Sequence, residues 1–359
     1  MQEHQRRLHA QTMEFCLQTA APVTADPNIV PFARTADRMT SALRPLPRHL
    51  DLALLARAWR RLAHEVNRAR CDIVLAHPCQ YLQAPLALRW IETRSVYFCH
   101  EPRRVDYEQA AAASVNRRTR RLYAGLYRME RKLDRLGVFS SDQLVTNSAF
   151  TAGRIEQAYG RVAEPIPLGV ADLFREPGSQ LARTHLLSVG TLIPAKGHDL
   201  AIRAAGLVAR PLPLVVVAPR ASGEEATRLR ELARQSSVEL DIRIGISDEE
   251  LRDLYRRATA TLYLAREEPF GLVSLEAQAC GSPVVVADDG GLPETMLAGE
   301  SGWVVSRDRP EMAARAIDAL AAPELMRKVS ARAREHGCAQ TWERSTECIQ
   351  RTLERVYAL

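Results

Sequence analysis

The feature that most constrains the fold is a regular alternation of short apolar runs with longer helical patterns. Ten runs predict strands: MEFCLQTA (13–20), CDIVLAHP (71–78), SVYFCH (95–100), DQLVTNS (142–148), HLLSVG (185–190), LPLVVVAP (212–219), VELDIRIG (238–245), TATLYLA (259–265), SPVVVAD (282–288) and GWVVS (302–306). Strands that are apolar on both faces and separated by helices are typical of parallel sheets covered on each side. We therefore expect an α/β protein.

The length of the chain, 359 residues, indicates two domains. The loop-like stretch GVADLFREPGSQ (169–180) divides the two series of strands. We expect two Rossmann-like domains that face each other across a cleft, since α/β sheets bind ligands at the carboxyl ends of their strands. The predicted limits are 1–172 for the first domain, 183–340 for the second domain, and 341–359 for a helix that crosses back to the first domain.

The amino-terminal domain shows one departure from this pattern. A Rossmann-like domain begins with a strand and a glycine-containing turn into its first helix. This chain instead opens in polar, helix-like sequence (EHQRRLHAQ, 3–11) before its first predicted strand. We therefore expect the amino domain to lack its first strand, either because the start is assigned late or because the element is lost.

Composition excludes several classes of protein. The seven cysteines include no C-x-x-C pair, which argues against a disulfide framework or a structural zinc site and favours a reducing compartment. No apolar run approaches the roughly 20 residues of a membrane-spanning helix, and the amino terminus lacks a secretory signal. We expect a cytoplasmic protein without a bound metal. A periplasmic solute binder is disfavoured, because the expected signal peptide is lacking.

Charge is distributed unevenly along the chain. Residues 1–180 hold 26 Lys and Arg against 18 Asp and Glu, whereas the remainder is close to neutral. Much of the excess lies in 115–136, where apolar residues recur at helical spacing among eight basic ones. Two interpretations of this segment stay open. It forms a packed helix with a solvated arginine face, or it docks to anionic lipid headgroups or to a phosphate-bearing acceptor. Nucleic acid fits poorly, because no aromatic platform accompanies the charge.

The stretch TATLYLAREEPFGLVSLEAQACGSP (259–283) carries the most chemical information. A predicted strand ends near Ala265 and a helix runs from about Leu272, which places Glu268 at the mouth of the cleft. The backbone amides of Phe270, Gly271 and Leu272, at the start of this helix, are a favourable site for a phosphate. Glu276 follows Glu268 by eight positions, a spacing that other glutamates of this chain also show. The prediction that these two carboxylates belong to a functional site therefore depends on the strand end, the PFG segment and the helix around them.

Several motifs together resemble the retaining glycosyltransferases of family four, glycosyl transferases group 1, which have the GT-B fold. They are Glu268 and Glu276 with PFG between them, ACGSPVV (279–285), DGGLPE (289–294), SVGTLIPAKGHDLAIRA (188–204), IGISDEELRDLYRRA (244–258), TNSAFTAGRIEQAYG (146–160), IPLGVADLF (166–174) and CHEPRR (99–104). The resemblance runs from about residue 71 to the end and is strongest in the second half.

The resemblance implies that a nucleotide-diphosphate sugar is bound by the loop after strand 185–190, with Gly190, Thr191 and Lys196 as donor-binding residues. Lys196 is one of three lysines in the chain, which favours a function over simple solvation. The family usually has Arg where this chain has Thr191, so one expected cation is replaced by a neutral hydrogen-bond donor.

Further roles follow from the same resemblance. Glu268 would hold a hydroxyl of the donor sugar, the alternative being an ion pair with Arg266 or another basic neighbour. Glu276 would bind the ribose, since a carboxylate accepts hydrogen bonds from two vicinal hydroxyls. His100 would contact a sugar hydroxyl from the amino domain, and Ile246 lies where relatives hold the nucleobase. Glu268 and His100 are thus the predicted catalytic residues.

The implied activity is hexosyl transfer from a nucleotide sugar to an acceptor hydroxyl, with retention of configuration and without a metal or other cofactor. The acceptor is left open between a lipid-linked and a polysaccharide substrate of cell-envelope or polysaccharide biosynthesis, with peripheral contact at the inner membrane face through 115–136. The alternative is a catalytically weak or inactive nucleotide-sugar-binding GT-B protein that acts as an assembly partner.

Overall fold

The structure is a computed structural model that describes residues 16–18, 29–31, 48–79, 82–107, 121, 123–178 and 181–359. It contains two compact units. The first consists of the described residues up to Asn147 together with Thr151–Ile166 and Thr346–Leu359. The second consists of Ser148–Phe150 and Pro167–Ser345. The domain limits expected from the sequence stay a prediction, and the expected absence of a first strand concerns residues 1–15, which lie outside the described ones.

The first unit contains small parallel sheets. Its elements are β1 (Cys16–Gln18), β2 (Ile29–Pro31), α1 (Arg48–Ala69), β3 (Val74–Ala76), β4 (Ser95–Phe98), α2 (Arg104–Tyr107), α3 (Ala124–Phe139), β5 (Gln143–Thr146), α4 (Ala149–Tyr159) and β6 (Glu164–Pro165). Strands β3, β4, β5 and β6 pair in that order and all run parallel. A separate two-stranded sheet joins β1 and β2.

Two clusters of buried side chains stabilise the first unit. In one, Leu55, Trp59 and Leu62 of α1 pack against the 3-10 turn Leu86–Trp90. This is the face that the three- and four-residue spacing of apolar residues predicts. In the other cluster, β4 and β5 pack against α4. Ser95 and the three following residues of β4 are buried without alternation, as expected for a strand covered on both faces.

The second unit is built around one larger sheet. Its elements are α5 (Asp172–Arg175), β7 (His185–Val189), α6 (His198–Ala205), β8 (Leu214–Ala218), α7 (Gly223–Gln235), β9 (Leu240–Ile244), α8 (Asp248–Arg257), β10 (Ala258–Tyr263), α9 (Leu272–Ala279), β11 (Val284–Ala287), β12 (Gly302–Val305), α10 (Pro310–Ala319) and α11 (Pro323–Ala339). The last helix, α12 (Trp342–Tyr357), contributes its residues from Thr346 onward to the first unit.

The order of the strands in the second unit determines where a ligand can bind. The six parallel strands lie side by side as β12-β11-β10-β7-β8-β9. The chain therefore builds outward from β7 in one direction, returns to the other side of β7, and continues from β10 in the opposite direction. This is the doubly wound Rossmann order, in which ligands bind beyond the carboxyl ends of the two strands where the order reverses.

Sequence patterns predicted most of these elements. All ten predicted strands occur within two or three residues of their expected positions where they are described, and the α/β fold class with two Rossmann-like units is confirmed. The Ser247 hydroxyl caps the start of α8 by accepting a hydrogen bond from the backbone N–H of Glu250 at 3.2 Å, while the Glu250 carboxylate pairs with Arg243. The strands β2 and β6 were missed, because they are only three and two residues long and each includes a proline.

Candidate functional site

The predicted donor-binding residues lie in two loops of the second unit. One loop follows β7 and contains a 3-10 turn at Pro194–Lys196, and the other follows β10 and leads into α9. Because β7 and β10 are neighbours in the sheet, their loops meet at the reversal of strand order. A backbone hydrogen bond of 2.8 Å from the Arg266 N–H to the Ala195 carbonyl joins the two loops directly.

Lys196 and Glu268 form an ion pair across these loops. The Lys196 Nζ lies 2.7 Å from the Glu268 Oε2, and both side chains keep partial contact with solvent, 23% and 17% exposed. The same Nζ lies 3.5 Å from the Tyr263 hydroxyl at the end of β10. Burial, and then the negative charge of Glu268, raise the pKa of Tyr263, so its hydroxyl stays protonated. The basic partner of Glu268 is thus Lys196 and not Arg266.

The backbone around Glu268 is held by the loop Asp288–Gly291. The Asp289 Oδ1 accepts a hydrogen bond of 2.9 Å from the N–H of Glu267, a residue in the left-handed region with φ of 48°. The Gly291 N–H donates to the Glu268 carbonyl at 2.8 Å. A side chain at Gly290 would meet the Glu268 carbonyl oxygen at 2.4 Å. The glycines of this motif therefore allow close backbone packing that positions Glu268.

His198, which the sequence analysis did not select, supports the loop after β7. Its Nε2 lies 3.3 Å from the carbonyl oxygens of Gly190 and Thr191, and its Nδ1 lies 2.9 Å from the Ser188 hydroxyl. Carbonyls only accept, so Nε2 carries the proton and Nδ1 of the neutral ring accepts from Ser188. Burial lowers the pKa of His198, which favours this neutral form. The signal available in the sequence was the Gly-His pair at the start of a helix.

The start of α9 presents uncapped backbone groups beside Glu268. Gly271 precedes the helix with φ of 122°, and no side chain caps the first turn. Phe270 is buried in the core of the second unit, and Leu272 packs partly against the same core. The N–H groups of this first turn carry the positive end of the helix dipole. This end of the helix is therefore suited to an anion.

Glu276 lies on α9 and is partly buried. Its Oε2 accepts a hydrogen bond of 3.1 Å from the hydroxyl of Tyr255, a fully buried residue of α8. Burial raises the pKa of Glu276 to about 7, against a smaller opposing effect of the Tyr255 hydrogen bond. A carboxyl group that titrates near neutral pH without a basic partner is unusual for a purely structural residue. Tyr255 and Tyr263 were not selected, because an aromatic residue in an apolar run is indistinguishable from core.

The side chains of the remaining predicted residues, Thr191, Ile246 and His100, take no part in the contacts between Lys196, Glu268 and their loops. The Thr191 side chain is exposed, while Ile246 packs partly against the core of the second unit. His100 belongs to the first unit, where its ring lies 4.7 Å from that of Phe98 and 5.9 Å from that of His77. Burial lowers the pKa of His100 to about 4, so its imidazole is neutral at physiological pH.

Two further properties concern the part of the chain that the structure describes. Within those ranges, no group of three or more His, Cys, Asp or Glu side chains is arranged to hold a metal ion. Among the described helices, none combines the length and the apolar character that crossing a bilayer requires.

Comparison with known proteins agrees with the geometry of the second unit. The profile of the family "Glycosyl transferases group 1" matches residues 171–336, which hold both loops and all of α9. The match to glycosyl transferases group 1 thus covers the part of the second unit that contains the candidate site. The resemblance found in the sequence is thereby confirmed, and the Lys196 and Glu268 loops lie inside the matched glycosyltransferase region.

Relatives of known name are similar over part of their length. The D-inositol 3-phosphate glycosyltransferase of Acidothermus cellulolyticus is 36% identical over 238 residues, which cover 59% of this chain and 53% of that protein. The protein of the same name from Geodermatophilus obscurus is 36% identical over 247 residues, covering 59% of this chain and 52% of the relative. The chain thus spans about half the length of these curated relatives.

Solved structures extend the likeness of fold to nearly the whole chain. Sucrose-phosphate synthase from Thermosynechococcus elongatus superposes with a TM-score of 0.70 at 19% identity, covering 94% of this chain and 85% of that one. Anabaena HepE in complex with UDP and glucose gives a TM-score of 0.66 at 17% identity, covering 91% and 86%. Together with the two parallel sheets, this confirms the GT-B fold.

Proposed function

We propose that this protein is a retaining hexosyltransferase that moves a sugar from a nucleotide-diphosphate donor to an acceptor hydroxyl. The observation that carries the proposal is the Lys196–Glu268 pair at the strand-order reversal of a group 1 glycosyltransferase unit. An ammonium group and a carboxylate held side by side match the two parts of such a donor. The ammonium suits the diphosphate, and the carboxylate suits the hydroxyls of the transferred sugar.

The chemical step requires stabilisation of departing negative charge. When the glycosidic bond breaks, the nucleotide leaves as a diphosphate anion and the sugar carbon becomes electron-poor. Lys196 and the uncapped first turn of α9 supply positive charge and N–H donors for that anion. In the free protein Lys196 is engaged by Glu268, so donor binding would exchange this contact for one to phosphate and release Glu268 toward the sugar.

The other predicted residues take the roles that this chemistry needs. Ionised Glu276 would accept hydrogen bonds from the two ribose hydroxyls. His100, neutral because its pKa is low, would donate or accept a hydrogen bond at a sugar hydroxyl without adding charge beside the electron-poor carbon. His198 is a positioning residue, since its ring holds the Gly190 and Thr191 carbonyls and so fixes the loop that carries Lys196.

Relatives narrow the compounds to be tried. The solved complexes of Anabaena HepE contain UDP, glucose and UDP-glucose, which makes UDP-glucose the first donor to test. The names of the relatives make D-inositol 3-phosphate the first soluble acceptor to test. The proposed physiological acceptor is lipid-linked or a polysaccharide, in cell-envelope or polysaccharide biosynthesis. The reaction is proposed to take place in the cytoplasm and to need no metal.

Donor binding and turnover test the proposal in two stages. First, UDP-, GDP- and ADP-sugars are screened by thermal shift, since a ligand that binds only the folded state raises the midpoint of unfolding. Second, release of the nucleoside diphosphate is measured, with and without acceptor, for wild type and Glu268→Gln. We expect Glu268→Gln to lose at least about a hundredfold in turnover with its unfolding midpoint unchanged. Glu347→Gln, an exposed carboxylate on α12, is the matched control.

A second candidate, a binder of nucleotide sugars with little or no turnover, is favoured by one observation. Thr191 supplies a neutral, exposed side chain where the resemblance leads us to expect an arginine, so leaving-group stabilisation falls largely on Lys196. A donor that stabilises the protein but is neither hydrolysed nor transferred to any acceptor would support this candidate and contradict the transferase. If no nucleotide sugar binds at all, both are wrong.

A further inference from the structure

Helix α3 of the first unit separates its charges by sign. Both of its acidic residues point inward and are engaged: Glu130 pairs with Arg103, and Asp134 accepts hydrogen bonds from Tyr159 and from the backbone of Ala84. All of its basic residues lie toward solvent or at the edge of the buried face. They are Arg128, Arg131, Lys132 and Arg135. None of the four forms an ion pair with a carboxylate of the described residues.

Two other surface helices of this chain pair some of their charges locally. On α7, Arg228 pairs with Glu225 and Arg234 with Glu231, each pair three residues apart. On α11, Arg332 pairs with Glu335 in the same way. Both helices also carry cations without a carboxylate partner in the described ranges, such as Arg230 on α7 and Lys328 on α11, whereas on α3 none of the four basic residues has one.

The cations of α3 surround an open groove. Its volume is about 460 Å³, and it is lined by Arg128, Arg131, Lys132, Arg135, Leu136 and Phe139. Arg131 lies 5.0 Å from the ring of Tyr107, and Arg135 donates to the carbonyl of Ala158 at 2.8 Å. These two guanidinium groups are thus partly fixed. Arg128 and Lys132 have no such contact with the residues that the structure describes and can turn toward an incoming anion.

Exposed apolar side chains accompany these charges. Phe139 is 51% exposed and Met129 is 50% exposed. Phe139 lies between two guanidinium groups, with Arg135 at 5.2 Å and Arg161 at 6.0 Å from its ring centre. At 100° per residue, Arg128, Lys132, Arg135 and Phe139 fall on one stripe of the helix. A stripe that mixes cations with an aromatic ring fits the boundary between lipid headgroups and acyl chains.

We propose that this stripe of α3 docks the protein onto a membrane that contains anionic phospholipids. A phosphate-bearing soluble ligand would need the cations but not the exposed Phe139 and Met129. A lipid surface uses both, since its phosphates pair with the arginines while its interface accepts the apolar side chains. The inference goes beyond the proposed function, and it concerns the first unit alone, whereas the donor-binding residues belong to the second.

Sedimentation of the full chain with vesicles tests the proposal. The probes are vesicles of phosphatidylcholine alone and of phosphatidylcholine with phosphatidylglycerol, each at low and high salt. Each basic residue near an anionic surface contributes about 1 kcal/mol, so Arg128→Glu with Lys132→Glu is expected to weaken binding at least about thirtyfold. Arg327→Glu with Lys328→Glu, two exposed cations on α11, is the matched control and should weaken it much less.

The results distinguish an anionic membrane from a soluble phosphate compound as the ligand of the α3 stripe. Binding that requires phosphatidylglycerol, weakens with salt, and is lost in the α3 variant but kept in the control supports the proposal. Further weakening by Phe139→Ser at constant charge supports insertion of the ring. Absence of vesicle binding by the wild type, or equal binding by both double variants, overturns it. Release by millimolar inorganic phosphate at constant ionic strength identifies a soluble phosphate ligand and also overturns it. Unfolding midpoints of all variants are measured to show that each is folded.

Discussion

The Tyr255 hydroxyl donates a hydrogen bond to the Glu276 Oε2 at 3.1 Å, and this fully buried phenol contacts the carboxyl group that titrates nearest to neutral pH in the second unit. Burial raises the pKa of Glu276 to about 7 from its ordinary value of 4.5. The proton on this carboxyl group is therefore exchanged within the physiological range, with consequences for both ligand binding and stability.

We predict that donor affinity rises between pH 6 and pH 8, because only ionised Glu276 can accept two hydrogen bonds from a ribose. With a pKa of about 7 the ionised fraction increases roughly tenfold over that range, so the dissociation constant should fall by a similar factor. Calorimetric titration across the range measures it. Tyr255→Phe removes a contact that lowers this pKa and should move the midpoint upward. A pH-independent affinity would show that Glu276 does not touch the donor in its ionised form.

The same pKa predicts how stability depends on pH. The folded state binds the Glu276 proton more tightly than the unfolded state, so this group stabilises the fold less as pH rises from about 4.5 to 7. Glu276→Gln lacks this loss. Its free energy of unfolding relative to wild type should therefore increase by up to about 3 kcal/mol between pH 4.5 and pH 8, measured by denaturant unfolding at each pH. A constant difference across pH would contradict the raised pKa.

Lys196→Met is predicted to weaken donor binding by roughly 10- to 100-fold, since one charged hydrogen bond to a phosphate contributes about 1.5–3 kcal/mol. Stability should change by less than about 1 kcal/mol, because the Lys196–Glu268 pair is partly exposed. Lys328→Met, at an exposed position of α11, is the control for loss of a lysine. Equal affinity of both variants for the donor would remove Lys196 from the site.

Gly290→Ala is predicted to destabilise the second unit and to displace Glu268. Gly290 has φ of 66°, and its added Cβ would lie 2.4 Å from the Glu268 carbonyl oxygen and 2.6 Å from its nitrogen. Gly299→Ala is a matched control, because Gly299 has φ of 79° but no atom within 4 Å of an added Cβ. We expect a loss of about 1 kcal/mol in the control, from backbone strain alone, and at least twice that at Gly290. Similar unfolding free energies would refute the packing argument.

His198→Gln is predicted to destabilise the protein at pH 7.5 but to make it less sensitive to acid. Burial lowers the folded-state pKa of His198, so below about pH 6.5 the unfolded chain binds a proton that the folded one does not. The wild type therefore loses stability as pH falls through that value, and the variant does not share this loss. The difference in unfolding free energy should shrink between pH 7.5 and pH 5. If it stays constant, the histidine is not held neutral in the fold.

The sequence predicted individual residues better than the contacts between them. Lys196 and Glu268 were selected separately, from lysine scarcity and from the context of a strand end, yet their pairing required the order of the sheet. Tyr255, Tyr263 and His198 were missed, because a buried polar group is recognisable only by the partner that folding gives it. The strands were predictable because runs apolar on both faces have one common solution, a parallel sheet covered by helices.

The strand order of the second unit also determines when its site can form during folding. Lys196 and Glu268 are separated by 72 positions, and the loops that carry them meet only after β10 has paired with β7. Contacts of such long sequence separation form late, because the entropy of closing the intervening chain is lost before the contact stabilises anything. A nascent chain with β7, β8 and β9 in place would hold Lys196 without its partner. Affinity for the donor would then appear as the last property acquired by the folding unit.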